Sequence, residues 1–152
     1  MARRTGKPVR RLSAFWDSSA LVPLCVRQDS TPRAISMYRN YEAVVWWVAP
    51  VEIASALARL VRMKQLSSPD WSKARDLAQL LADGWSVIQP TAEVRGKAVQ
   101  LVDRYDLGSA AALQLAAALE WCEDTPRERI FLTGDHRLLD AAARSGFDAR
   151  RV

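Results

Sequence analysis

Three acidic residues stand where an apolar, strand-like segment gives way to a helix-like one. They are Asp17 in FWDSSALV, Glu52 in APVEIASAL and Asp135 in FLTGDHRLL. Taken singly, Asp17 and Asp135 are explained as helix N-caps and Glu52 as an acid that favours the helix dipole, effects of about 0.5–2 kcal/mol each. Taken together in one crevice, three carboxylates repel one another unless a cation neutralises them. The sequence therefore suggests a cation site.

The cation that such a site favours is Mg²⁺ or Mn²⁺, because hard divalent ions prefer oxygen ligands and use few carboxylates. An ion held in this way lowers the pKa of a bound water and neutralises charge on a phosphodiester during hydrolysis. His136 is the only histidine, which excludes a Ser-His-Asp triad, a Cys-His pair and a zinc site with two imidazoles. Cys25 and Cys122, the only cysteines, fit neither a disulfide framework nor a zinc motif.

The elements that must position these acids alternate between strand and helix. Short runs of apolar, β-branched and aromatic residues predict strands near 13–17, 43–49, 85–89, 130–133 and 148–152. Apolar periodicity, capping residues and prolines predict helices at 20–26, from 31, and at 50–64, 69–82, 91–105, 110–121 and 136–144. Strands joined by helical crossovers form a parallel sheet with helices on both faces, an α/β fold. The functional crevice of such a sheet lies beyond the carboxyl ends of the strands, where the three acids are expected.

Positive charge is concentrated at the amino end of the chain. The 152 residues include 22 Lys and Arg against 17 Asp and Glu, and the segment 1–11 holds five of the basic residues and no acid. We therefore expect a flexible basic arm over 1–11 and a single domain over 12–152. The arm either follows an RNA backbone or acts as a solubilising tail. No apolar run approaches the ~20 residues of a membrane span and no signal-peptide core follows the arm, so we expect a soluble, cytoplasmic protein without a membrane partner.

The chain resembles the PIN-domain superfamily, and most closely the VapC-type toxins of bacterial toxin–antitoxin modules. The resemblance covers about residues 12–152 and is carried by FWDSSALV, APVEIASALARL, LGSAAALQLAAAL and FLTGDHRLLDAAARSGF in that order and spacing. It implies a three-layer α/β/α sandwich, an Mg²⁺- or Mn²⁺-dependent endoribonuclease, inhibition by a cognate antitoxin and a homodimer. Asp17, Glu52 and Asp135 match three of the family's four acids, which are its catalytic and metal-binding residues.

Ala111 stands where the family pattern has its remaining acid. The family reads roughly LRxxDALQLAxA, whereas this chain reads LGSAAALQLA from Leu107 to Ala116. Three explanations are open: an engineered replacement that abolishes toxicity, a natural loss, or substitution by Asp106. The intact flanking pattern favours the first, and the break at Gly108 makes the third the weakest. In each case, loss of one carboxylate predicts weaker cation binding and a hydrolysis rate lower by orders of magnitude.

Four further side chains are candidate RNA contacts. Ser18 contacts phosphate or satisfies helix amides, and Thr133 holds a water, orients a carboxylate or caps a helix. Arg33 and Arg59 lie on predicted helices that we expect to border the crevice.

The six tryptophans divide into two groups. Trp16, Trp46 and Trp85 fall in predicted strands and are expected in the core. The others are expected to be partly exposed and to line, with nearby apolar residues, a groove for an antitoxin helix; a self-dimer would use a similar surface. This predicted groove consists of Trp47, Trp71, Trp121, Leu21, Leu24, Met37 and Tyr41.

Two rival functions belong to other classes. One is a catalytically degenerate PIN-like RNA- or protein-binding module, for which Ala111 is the natural residue. The other is a phosphatase with a nucleophilic Asp17. Such enzymes usually carry a second acid two residues further on, where this chain has Ser19.

Overall fold

The computed structural model describes residues 10–152. Residues 1–9 of the predicted basic arm lie outside the described residues. Arg10 and Arg11, at the end of that arm, are exposed. Arg11 nevertheless contacts the body of the protein, since its Nη1 donates to the backbone carbonyl of Tyr38 at 3.1 Å.

Residues 10–152 form five strands and seven helices in the predicted order. The strands are β1 Leu12–Trp16, β2 Tyr41–Trp46, β3 Ser86–Ile88, β4 Ile130–Thr133 and β5 Asp148–Arg151. The helices are α1 Ser18–Cys25, α2 Thr31–Asn40, α3 Ala49–Arg62, α4 Ser68–Ala82, α5 Ala92–Tyr105, α6 Ser109–Trp121 and α7 His136–Ser145. The predicted second strand extended too far, to residue 49, because Ala49 already belongs to α3.

The five strands form one parallel sheet in the order β3-β2-β1-β4-β5. The chain runs outward from β1 through β2 to β3, then returns to β4 on the other side of β1. The strand order therefore reverses between β1 and β4, which are hydrogen-bonded neighbours. In open α/β sheets, ligands bind beyond the carboxyl ends of the strands at such a reversal.

The two faces of the sheet are covered by different helices. Successive side chains of a strand point to opposite faces, and along β1 Phe15 joins one buried cluster while Ala14 and Trp16 join the other. The Phe15 cluster contains buried residues of α5, α6 and α7, and the Trp16 cluster contains those of α1 to α4. The predicted three-layer α/β/α sandwich is thus confirmed.

The predicted groove of tryptophans and neighbouring apolar residues is wrong as a single surface. Leu21 is fully buried, and Leu24, Met37 and Tyr41 pack against the α1–α4 core. Trp121 packs on the opposite side of the sheet, against the α5–α7 core. Trp16 and Trp46 are buried and Trp85 packs against the core, as predicted, whereas Trp47 is 52% exposed. No helix within residues 10–152 is both long enough and apolar enough to span a membrane.

Candidate active site

A cavity of about 480 Å³ opens at the carboxyl ends of β1 and β4. Asp17, Glu52 and Asp135 all line it, so the fold brings the three predicted acids to one place. Ala111, the position that departs from the family pattern, lines the same cavity. The remaining lining residues come from α1, α6, α7 and the turn before α6; they are Ser18, Ser19, Leu107, Gly108, Ser109, Ala110, Gln114, Arg137 and Leu138.

Asp17 is the most deeply placed of the three acids. It directly follows β1, and its backbone N–H donates to the Leu132 carbonyl of β4 at 2.9 Å. Its side chain is only 5% exposed and does not cap α1, although Asp17 occupies the N-cap position. The capping interpretation of Asp17 is therefore wrong: its carboxylate is bound by Ser19 and Thr133 instead.

Hydroxyl groups of Ser19 and Thr133 hold the Asp17 carboxylate in place, and Ser18 Oγ donates a longer bond of 3.5 Å to its Oδ1. Thr133 Oγ1 donates to Asp17 Oδ2 at 2.8 Å and accepts from the backbone N–H of Asp135 at 3.0 Å. Ser19 Oγ donates to the same Oδ2 and accepts from the backbone N–H of Gly134 at 2.8 Å. The segment after β1 is thereby bonded to the segment after β4. Thr133, fully buried, thus orients a carboxylate, one of the roles considered for it.

Burial raises the pKa of the Asp17 carboxyl above its ordinary value, because the charged form loses its hydration. Hydrogen bonds from Ser19 and Thr133 oppose this rise, and the negative charge of Asp135 adds to it. The charge of Asp135 therefore disfavours ionisation of Asp17.

Glu52 enters the cavity from the first turn of α3. Its Oε1 accepts a hydrogen bond from Gln114 Nε2 of α6 at 2.7 Å. Burial and the charge of Asp17 raise the pKa of Glu52, and the bond from Gln114 partly offsets that rise. Gln114 is 1% exposed, and its Oε1 finds no hydrogen-bond partner within the described residues. Sequence reasoning missed this glutamine.

Asp135 confirms the capping interpretation. It is the N-cap of α7, and its Oδ1 accepts from the backbone N–H of Leu138 at 2.8 Å. A carboxylate has two oxygens, so this bond leaves the second oxygen of Asp135 available, and the residue lines the cavity. Capping and ligand binding are compatible at this position.

The donor chemistry of the cavity suits a hard cation. Its three acids offer carboxylate oxygens, and burial and mutual repulsion raise the pKa of two of them. None of the ion pairs within residues 10–152 involves these acids, so their charge is not neutralised by a Lys or Arg. In the described part of the chain, however, no group of three or more Asp, Glu, His or Cys side chains lies close enough to hold one metal ion. Asp17, Glu52 and Asp135 share a cavity without forming a closed ligand set.

A methyl group stands at position 111, where the resemblance implies a fourth acid. Ala111 lies in the first turn of α6, on the cavity wall and one turn before Gln114. Asp106 does not replace the missing acid: it is exposed, ends α5 with a left-handed φ of 51°, and does not line the cavity. The structure therefore argues against substitution by Asp106.

Of the four predicted RNA contacts, only Ser18 lines the cavity. Thr133 is fully buried and does not line it. Arg33 lies in α2 and Arg59 in the last turn of α3; both are exposed and neither lines the cavity. The arginine that does line it is Arg137, which sequence reasoning missed although it stands two residues after Asp135 in FLTGDHRLL.

No protein-family model and no curated protein sequence matches the chain. Solved structures do match it over nearly its whole length. The Pyrobaculum aerophilum protein PAE2754 is 16% identical with a TM-score of 0.65, and the match covers 93% of this chain and 90% of that one. VapBC2 from Rickettsia felis, solved bound to a DNA fragment from its promoter, is 9% identical with a TM-score of 0.63, covering 93% of this chain and 99% of that one.

A third match is FitAcB from Neisseria gonorrhoeae, 13% identical with a TM-score of 0.61, covering 89% of this chain and 96% of the other. At these identities the likeness is one of fold. The fold implied by the resemblance to PIN-domain toxins is thus confirmed.

Proposed function

We propose that this chain, which shares its fold with the toxin components of toxin–antitoxin systems, is itself such a toxin and acts as a metal-dependent endoribonuclease. One observation carries the proposal: Asp17, Glu52, Asp135 and the altered position Ala111 all line one cavity at the reversal of strand order. Ligand binding is expected at that place in a parallel sheet. Because Ala111 offers no carboxylate, we propose that the chain as written is inactive or weakened.

Mg²⁺ or Mn²⁺ is the proposed cofactor, with Asp17, Glu52 and Asp135 as ligands. Mg²⁺ keeps several waters and is held by one or two carboxylates together with substrate phosphates, so the proposed site does not require that three acids of the described residues close around the ion. When bound, the ion supplies a water of lowered pKa and neutralises charge that develops on the phosphodiester. Ser19 and Thr133 fix the Asp17 carboxylate, and Gln114 fixes Glu52, so that both are aligned before substrate arrives.

RNA is the proposed substrate, and Ser18 on the cavity wall is a proposed contact to it. Arg33 and Arg59, exposed on α2 and α3, are proposed to bind RNA backbone away from the cavity. Each such contact adds affinity that declines with salt. We place this activity in the cytoplasm, where RNA and a freshly synthesised antitoxin are both present.

A cognate antitoxin and a second copy of the chain are the proposed protein partners. One matching solved structure is a toxin–antitoxin complex from Klebsiella pneumoniae. This chain also exposes apolar side chains on and beside α3, since Trp47 is 52%, Val51 65% and Trp71 37% exposed. Co-purification with the product of a small neighbouring reading frame would support the antitoxin, and sedimentation of the isolated chain tests the homodimer.

The alternative function is a catalytically degenerate PIN-like RNA- or protein-binding module. It is favoured by Ala111 together with the lack, among the described residues, of three acids close enough for one ion. Under this alternative, Ala111 is the natural residue and the chain binds without cutting.

Replacement of Ala111 by aspartate separates the two. We expect Ala111→Asp to produce or greatly raise RNA cleavage that needs Mg²⁺ or Mn²⁺ and stops with EDTA. The matched control is Ala143→Asp, which adds the same charge at an exposed alanine of α7 outside the cavity. A second control, Ala111→Asp combined with Asp17→Asn, should lose the gained activity. If purified, folded Ala111→Asp cuts no more RNA than the parent chain, the nuclease proposal fails and the binding module is preferred.

A further inference from the structure

Within residues 10–152, Arg137 is the one cationic side chain on the wall of the acidic cavity. It is the second residue of α7, two positions after Asp135, and it is exposed. The cavity therefore carries three acids and one guanidinium. The acids have a proposed role in holding a cation, whereas the role of the arginine is unassigned.

Helix stability does not account for this arginine. The first turn of a helix carries partial positive charge, so a cation there is unfavourable by the same few tenths of a kcal/mol, up to about 1, that an anion would gain. Basic residues serve a helix better in its last turn, where α7 has Arg144. The position of Arg137 thus works slightly against the helix that carries it.

Ion pairing does not account for it either. Asp140, one turn further along α7, is an available acid at i+3. Asp140 instead lies 3.5 Å from Arg144 Nη1. Within residues 10–152, Arg137 has no Asp or Glu oxygen within 4.0 Å, and this includes Asp17, Glu52 and Asp135 on the same cavity wall. Among the described residues its guanidinium therefore has no ion-pair partner, and Arg137 lines the cavity.

We propose that Arg137 binds a non-bridging phosphate oxygen of the RNA strand at the cavity and so positions the phosphodiester against the three acids. The inference rests on the proposed nuclease function and adds a substrate-binding residue to it. A guanidinium presents a planar fork of N–H donors that matches two phosphate oxygens and stays charged at every working pH. The carboxylates of the cavity would bind the divalent cation, and the neighbouring guanidinium would bind the negatively charged phosphate that accompanies it.

The phosphate, and not a base, is the expected target. A contact to phosphate positions a strand but carries no sequence information. Loss of Arg137 should therefore weaken the binding of different RNA sequences by the same factor and lower the salt dependence of binding. Those two readouts distinguish it from a residue that reads a base and from one that only solubilises the surface.

The test compares Arg137→Gln with the parent chain and with Arg127→Gln. Arg127 is also exposed and without an ion pair in the described part of the chain, but it lies just before β4, at the edge of the sheet opposite the cavity. Binding is measured by fluorescence anisotropy with two labelled oligoribonucleotides of unrelated sequence, carrying 2′-O-methyl groups so that they resist cleavage. The measurement is made in Mg²⁺ over a range of NaCl concentrations.

For Arg137→Gln we expect both affinities to fall about 3- to 10-fold, and the slope of log affinity against log salt to fall by ~0.7, the value for one phosphate on a single strand. Arg127→Gln should leave both affinity and slope near the parent values. In the Ala111→Asp background, Arg137→Gln should also lower kcat/KM for RNA cleavage, and Arg137→Lys should restore part of it.

The outcomes separate this inference from the function on which it rests. If Ala111→Asp cuts RNA but Arg137→Gln binds and cuts as Arg127→Gln does, the assignment of Arg137 is overturned and the nuclease stands. If the loss occurs with one oligoribonucleotide and not the other, Arg137 reads a base and the phosphate assignment is overturned. If the parent chain binds neither RNA and Ala111→Asp does not cut, the proposed function itself fails.

Discussion

Thr133 Oγ1 lies 2.8 Å from Asp17 Oδ2 and joins two residues that are 116 positions apart in the sequence. The two side chains stand at the ends of β4 and β1, the neighbouring strands between which the strand order reverses. The same hydroxyl accepts the backbone N–H of Asp135, so one threonine contacts two of the three acids. The geometry of the candidate site therefore depends on the pairing of β1 with β4.

Thr133→Val is expected to unfold more easily than the parent chain. Valine fills nearly the same space but removes the donor to Asp17 and the acceptor for the backbone N–H of Asp135, in a place that water does not reach. We expect a loss of about 1–3 kcal/mol, measured by urea denaturation at neutral pH. Thr133→Ser, which keeps the hydroxyl, is the control and should lose less. Equal stabilities for the valine variant and the parent would contradict the role given to this hydroxyl.

The ends of the strands, and the positions of the acids that follow them, could be predicted from the sequence because both depend on local signals. Apolar runs such as AVVWWVA indicate buried strands, and an acid directly after a run marks its carboxyl end. Parallel pairing then places Asp17 and Asp135 at one edge of the sheet, which is where they lie. The position of Ala111 on the same cavity wall followed from the family pattern and not from any local signal.

The contacts within the site could not be predicted because they join distant segments. Ser19 resembles a helix-capping serine in sequence, yet it binds the Asp17 carboxylate and the backbone N–H of Gly134. Gln114 interrupts an alanine-rich helix, and only the packing of α6 against the sheet brings it to Glu52. The prediction of a groove failed for a similar reason. Helical spacing places Leu21 on the apolar face of its helix, but it does not show that the rest of the protein covers this face completely.

Glu52→Gln is expected to stabilise the metal-free protein at neutral pH. Burial and the charge of Asp17 raise the pKa of Glu52, so the folded state binds its proton more tightly than the unfolded state does. Ionised Glu52 then costs stability at pH values above its raised pKa, and this cost disappears as the pH falls toward its ordinary value of 4.5. Glutamine avoids the cost and can still accept from Gln114.

We expect a melting temperature about 2 °C higher for Glu52→Gln at pH 7, a modest figure because Glu52 is partly exposed and screened by solvent. The advantage should shrink at pH 5 and be absent at pH 4, as followed by thermal unfolding in EDTA. Glu93→Gln, an acid in the first turn of α5 away from the cavity, is the control. An advantage for Glu52→Gln that grows as the pH falls would mean that the pKa of Glu52 is lowered and not raised.

Divalent cations are expected to stabilise the folded protein by binding to the acids of the cavity. A ligand that binds only the folded state stabilises it by about 2.7 kcal/mol at a hundred times its dissociation constant. Mg²⁺ or Mn²⁺ should therefore raise the melting temperature of the parent chain, and raise it further in Ala111→Asp, at a lower ion concentration. Asp17→Asn should abolish the rise, whereas Asp103→Asn, an exposed acid of α5 outside the cavity, should retain it. An equal rise in both asparagine variants would place the ion elsewhere on the surface.

Gln114→Leu tests whether the glutamine positions Glu52 or merely fills space. Leucine removes the donor that lowers the pKa of Glu52, and it also removes Oε1, which is buried and has no hydrogen-bond partner in residues 10–152. Loss of the hydrogen bond to Glu52 lowers stability, whereas removal of a buried oxygen that accepts no hydrogen bond raises it. We therefore expect a net change in unfolding free energy of less than about 1 kcal/mol. The pKa of Glu52 should nevertheless rise, and the affinity for Mg²⁺ or Mn²⁺, measured by calorimetry near pH 6, should fall several-fold. We thus expect ion affinity to fall while stability hardly changes. If Gln114→Leu instead lowers stability and ion affinity together, the role of Gln114 is purely structural.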